Sequence, residues 1–92
     1  MIQSKLNLQF SIVLDSNPTT GYRWDAKFDP ERLKLVGKSF QPSGTGAIGS
    51  GGIERFSFVP IELGETEVIM IYKRPWEAKE IDKKIFPVSV TE

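Results

Sequence analysis

The chain contains no cysteine and no histidine. The first absence excludes a disulfide, a thiolate nucleophile and sulfur ligation of zinc. The second removes the commonest general base and metal ligand, so this chain cannot assemble a Ser-His-Asp or a Cys-His site. Net charge is missing too, because 12 Lys plus Arg balance 12 Asp plus Glu. No global field draws in a polyanion, and nucleic acid is a poor partner. No apolar run is long enough to span a bilayer. Met1 leads into polar sequence and not into a signal peptide. That points to the cytoplasm unless a leader has been removed, and then to the periplasm or to secretion.

Carboxylates alone can still run glycosidase-type hydrolysis. Here Asp15, Asp25, Asp29, Glu54 and Glu62 fall mostly at strand-exposed or turn positions and read as solvated surface. The basic pairs Lys73-Arg74 and Lys83-Lys84 are flanked by acids and read the same way. The expectation is a protein that is not an enzyme and carries neither cofactor nor metal.

The sequence does carry a period of two. Leu6, Leu8, Phe10, Ile12 and Leu14 alternate with Lys5, Asn7, Gln9 and Ser11, the pattern of one half-buried strand. Tyr22, Trp24, Ala26 and Phe28 repeat it against Arg23, Asp25, Lys27 and Asp29. Asp29-Pro30-Glu31-Arg32 predicts a turn capped by Asp29. Residues 33–40 form a weaker strand candidate that Gly37 interrupts with a bulge or a kink. Phe56 and Phe58 point inward from a strand over 53–59, with Glu54, Arg55 and Ser57 around them. Val68-Ile69-Met70-Ile71-Tyr72 is apolar on both faces and predicts a central strand covered on both sides. Phe86, Val88 and Val90 share a face in the last strand, where Pro87 implies an edge or a bulge. About seven short strands in 92 residues, with no helical periodicity, predict an all-β, immunoglobulin-like sandwich as a single domain over residues 1–92. An open barrel is the competing architecture.

Three connecting segments hold unusual chemistry. Asn17-Pro18-Thr19-Thr20-Gly21-Tyr22 joins two strand patterns through residues that stiffen a turn: Asn-Pro initiates it, Pro18 fixes φ, and Gly21 reaches backbone angles closed to other residues. A stiff loop presents backbone to a partner at low entropic cost. Residues 41–52 are rich in Gly, Ser, Thr and Pro, and Ile48 is their one side chain able to anchor a core. Gly44-Thr45-Gly46-Ala47-Ile48-Gly49 matches the literal dinucleotide fingerprint, but a strand follows where a helix would be needed, so nucleotide binding is rejected. The segment remains either a plain hairpin loop or an arm whose exposed backbone pairs with another protein. In Arg74-Pro75-Trp76, two residue types enriched in binding hot spots flank a proline. Trp76 sits in polar surroundings and predicts an exposed, binding residue, whereas Trp24 shares the face of Tyr22 and Phe28 and predicts core. An even number of strand crossings separates the three segments, so all three emerge at one end of a sandwich.

Together these segments resemble the chagasin family of cysteine-peptidase inhibitors. The first motif is residues 17–22 with Trp24 after it, the second is Gly49-Ser50-Gly51-Gly52, and the third is Arg74-Pro75-Trp76, intact and in the family's order. The resemblance spans essentially the whole chain. It implies reversible, non-covalent inhibition of papain-like peptidases of cathepsin type by a monomer, through loops 17–22, 44–52 and 74–76. By that resemblance the first loop enters the active-site cleft with Thr19 beside the catalytic cysteine. The Gly-rich loop lies along one side, and Arg74 and Trp76 grip the other. An alternative from a different class is an adhesion or carbohydrate-binding module in which Tyr22 and Trp76 stack on sugar.

Overall fold

The computed structural model describes residues 1–17, 20–42 and 51–92. Seven strands form: β1 (Ile2–Lys5), β2 (Phe10–Ser16), β3 (Arg23–Phe28), β4 (Leu33–Pro42), β5 (Gly52–Pro60), β6 (Gly64–Lys73) and β7 (Asp82–Thr91). They make two separate sheets, ordered β1-β7-β6-β3 and β2-β5-β4, which settles sandwich against barrel. Among the described residues there is no α-helix. Every pairing is antiparallel except β1 with β7. Alternation puts Ile12 and Leu14, Trp24, Phe56 and Phe58, Val68 and Met70, and Val88 and Val90 on the inner faces, where they pack together with Leu33. Burying a side chain of this size contributes about 1.5–3 kcal/mol, which is how the core holds without disulfides.

The strand expected through Leu6–Leu14 starts only at Phe10, and residues 6–9 are a crossover from β1, a strand the alternation did not predict. β1 ends at Lys5, and Asn7 takes a left-handed φ of 65°. Leu6 N donates to Thr91 O of the first sheet (2.8 Å), and Asn7 N donates to Pro60 O of the second (2.9 Å). The chain changes sheets here, and Asn is among the few residues other than glycine that adopt this conformation readily. Leu8, on the crossover, is 59% exposed. The period of two runs straight through the crossing and gives no sign of it.

Glu54 is the second correction. It is 5% exposed, not solvated, because it shares the inward parity of Phe56 and Phe58. Its Oε2 accepts a hydrogen bond from Trp24 N at 3.1 Å. β3 is an edge strand, and this carboxylate satisfies a backbone donor that has no neighbouring strand on that side. The third concerns β6. It is central as expected, between β7 and β3, but only its inner face is covered, and Ile69 and Ile71 on the outer face stay half-buried.

Other expectations stand. Register shifts between Leu35 and Gly37, the predicted bulge. Pro87 lies just before β1 begins to pair with β7 at Val88, so its missing N–H falls on an open edge. Asp29 caps its turn, with Oδ1 accepting Glu31 N at 2.9 Å.

Candidate functional site

Register brings the three motif-bearing connections to one end. Ser16, the last residue of β2, pairs with Gly52, the first of β5, and Gly52 pairs with Pro42, the last of β4. In the other sheet Arg23 at the start of β3 faces Lys73 at the end of β6, and Tyr72 faces Asp82 at the start of β7.

The first loop is held from below by an aromatic series. Asn17 N donates to the Tyr72 hydroxyl (3.2 Å). The Tyr72 ring lies between Tyr22 (centroids 5.5 Å apart) and Trp24 (4.7 Å). Trp24, only 3% exposed, donates its Nε1–H to Asp15 O at 2.8 Å, as a buried indole should. Within the loop, Thr20 N and Thr20 Oγ1 both donate to Asn17 O, at 3.2 and 2.7 Å. Thr20 is thus engaged inside the turn. Gly21 has φ +84°, the left-handed angle for which glycine was expected. A Cβ there would lie 3.0 Å from Cη2 of Trp76, so loops one and three touch at this glycine. Pro18 and Thr19 lie outside the described residues.

The third loop is a tight turn. Glu77 N donates to Arg74 O (3.1 Å), and Lys73 Nζ donates to Glu77 O (3.2 Å). Arg74 is not solvated surface as its flanking acids suggested. Its Nε donates to Thr20 O (3.1 Å), its Nη1 to Glu77 Oε1 (3.2 Å), and its guanidinium lies 4.4 Å from the centre of the Tyr22 ring. Pro75 is exposed, and Trp76 at the apex is 72% exposed, as its polar surroundings predicted.

Of the middle segment, Gly49 and Ser50 lie outside the described residues, as do Ile48 and the 44–49 fingerprint. Gly51 and Gly52 have a structural reason to be glycine. A Cβ on Gly51 would sit 2.9 Å from Ser16 O, and one on Gly52 would run into Gln41 O with Pro42 Cα only 2.9 Å away. The strand boundaries fall further into this segment than expected, since Gln41 and Pro42 belong to β4 and Gly52 to β5.

Among the described residues no group of three or more carboxylates gathers that could hold a metal ion. Near this end Glu77 is ion-paired with Arg74, Asp25 lies 3.4 Å from Lys27, and Glu54 is buried under Trp24 N. Sequence reasoning missed Tyr72, Glu54 and Glu77. The inward parity of Val68, Met70 and Tyr72 was a usable signal for the first. The i, i+3 spacing from Arg74 was one for the last.

The model of the family described as Chagasin family peptidase inhibitor I42 matches residues 3–90. Chagasin of Trypanosoma cruzi is 34% identical over 82 residues, covering 84% of this chain and 74% of that protein. Amoebiasin-2 of Entamoeba histolytica is 31% identical over 68 residues, covering 72% of this chain, and the chain spans only 55% of that relative's length. Among solved structures, the cysteine protease inhibitor EhICP2 of Entamoeba histolytica matches with a TM-score of 0.84 at 22% identity, over 98% of this chain and 84% of that one. The solution structure of amebosin matches with a TM-score of 0.71 at 27% identity, over 98% and 85%. The two-sheet fold, the three ordered motifs and the family match agree, and the chain belongs to the chagasin family of peptidase inhibitors.

Proposed function

We propose that residues 1–92 act as a monomeric inhibitor domain whose loop-bearing end occludes the active-site cleft of a papain-like cysteine peptidase of cathepsin type, reversibly and without covalent chemistry. The peptidase supplies the cysteine and histidine that this chain lacks. The first loop, residues 17–22, enters the cleft with Thr19 toward the nucleophile. Gly49, Ser50, Gly51 and Gly52 run along one wall, and Trp76, beside Pro75, packs on the other.

The observation that carries this reading is the pre-assembly of the first and third loops. Gly21 and Trp76 are in contact, and Arg74 is hydrogen-bonded to Thr20, in the free chain. Loops that are ordered beforehand lose less entropy on association. A peptidase cleaves a carbonyl held in near-attack geometry beside its nucleophile, and a turn held by Gly21 and its Asn17 bonds fills the cleft without offering that geometry. Contacts led by backbone tolerate variation in the pocket, so several related enzymes are inhibited. The sugar-binding alternative loses its second platform, because Tyr72 and Arg74 pack against the Tyr22 ring.

The test is titration of the purified protein against papain and a panel of cathepsin-type enzymes. Competitive, submicromolar inhibition at one inhibitor per enzyme, with the inhibitor recovered uncut, is expected. Lack of inhibition across the panel, or binding to glycans in its place, would overturn the reading.

A further inference from the structure

We infer that Arg74 and Glu77 are positioning residues, forming a latch that joins the first and third loops into one unit before any partner arrives. The third loop then meets the peptidase through the Trp76 indole and not through the Arg74 charge. For its effect on inhibition this rests on the cleft reading above; the latch itself does not.

The geometry assigns the guanidinium's contacts within the molecule. Nε donates to Thr20 O (3.1 Å) and Nη1 to Glu77 Oε1 (3.2 Å), with one face 4.4 Å from the Tyr22 ring centre and the Trp76 ring centre 5.9 Å away. One planar cation therefore touches residues of both loops. A lysine point charge cannot reproduce the fork and the stack together. Glu77 is held in turn at three atoms: its N by Arg74 O, its O by Lys73 Nζ, and its Oε1 by Arg74. That makes it the fixed post against which Arg74 is oriented. Half-burial matters here, because each member of the ion pair keeps 35% of its side-chain surface exposed. An isolated pair this exposed stabilises little; its value lies in aiming the guanidinium at Thr20 O and at Tyr22.

The latch and an enzyme-gripping arginine predict opposite signs for one variant. Glu77→Ala frees Arg74. If Arg74 bound an acid on the enzyme, binding would be unchanged or tighter. Under the latch, dissociation accelerates about threefold, the scale of an exposed ion pair. Arg74→Lys, which keeps the charge, is expected to accelerate dissociation about tenfold through loss of one hydrogen bond and a cation–aromatic contact. Because the charge is kept, the salt dependence of the association rate stays as in the wild type under either reading, and the dissociation and exchange rates decide between them.

The experiment combines stopped-flow binding to papain at several salt concentrations with amide hydrogen exchange of the free protein. Faster exchange at Thr20 and Tyr22 in Arg74→Lys, with both dissociation rates raised, is the expected result. Unaltered exchange at those amides, or unchanged or tighter binding by Glu77→Ala, overturns the latch. If the wild type inhibits no peptidase, the cleft reading fails, and the exchange measurement still decides the latch.

Discussion

The two tryptophans show how one residue type serves opposite ends of the same structure. Trp24 lies on the inner face of β3, 3% exposed, with its indole N–H bonded to Asp15 O and its ring against Tyr72. Trp76 stands at the apex of the 74–77 turn, 72% exposed, with its ring edge at Gly21 and its ring centre 5.9 Å from the Arg74 guanidinium. The first organises the platform on which the loops stand. The second is unspent apolar surface, held in place by a turn in which Lys73, Arg74 and Glu77 are bonded to one another. A large indole left out of a core that needs apolar area in so small a chain fits the binding role proposed for it.

The comparison can be broken most forcefully at Trp24. Trp24→Ala should remove about 3–5 kcal/mol of folding stability, read by urea denaturation, with inhibition lost only as the fold is lost. If the variant keeps near-normal stability, the platform role is wrong. At the other end, Trp76→Ala should weaken peptidase binding by about 2 kcal/mol or more, the hot-spot scale, while stability changes by no more than about 0.5 kcal/mol. A matching fall in melting temperature would mark Trp76 as a packing residue and erase the contrast. The smallest effect lies between them. Tyr72→Phe removes the hydroxyl that accepts from Asn17 N and should cost about 1 kcal/mol. The loss should appear as faster hydrogen exchange in the first loop and a modestly faster dissociation rate. A variant indistinguishable from wild type in both would show that the aromatic series supports the loop by packing alone.

Much of this contrast was legible in the chain. Trp24 shares the alternation of Tyr22, Ala26 and Phe28, while Trp76 follows a proline among charged residues, and the structure treats them accordingly. The bulge at Gly37 and the glycine angle at Gly21 were legible for the same reason, since backbone sterics are local. Glu54 was misread because its charge outweighed its parity: the position points inward, and the N–H of Trp24 across the sandwich gives its carboxylate a donor there. Leu6 and Leu8 were misread because alternation does not say which sheet a strand joins.

What the sequence determined by itself, then, was the strands other than β1, the face that most of their residues take, and the unusual chemistry of three connections. These depend on interactions a few residues long. Only the tertiary structure decided that the chain changes sheets at Asn7, that Arg74 reaches Thr20, and that Tyr72 supports Asn17. Those contacts join residues more than fifty positions apart, with separations of 54 for Arg74 to Thr20 and 55 for Asn17 to Tyr72. A period of two specifies orientation but carries no record of the partner strand, so such pairings exist only once both sheets have closed on the core.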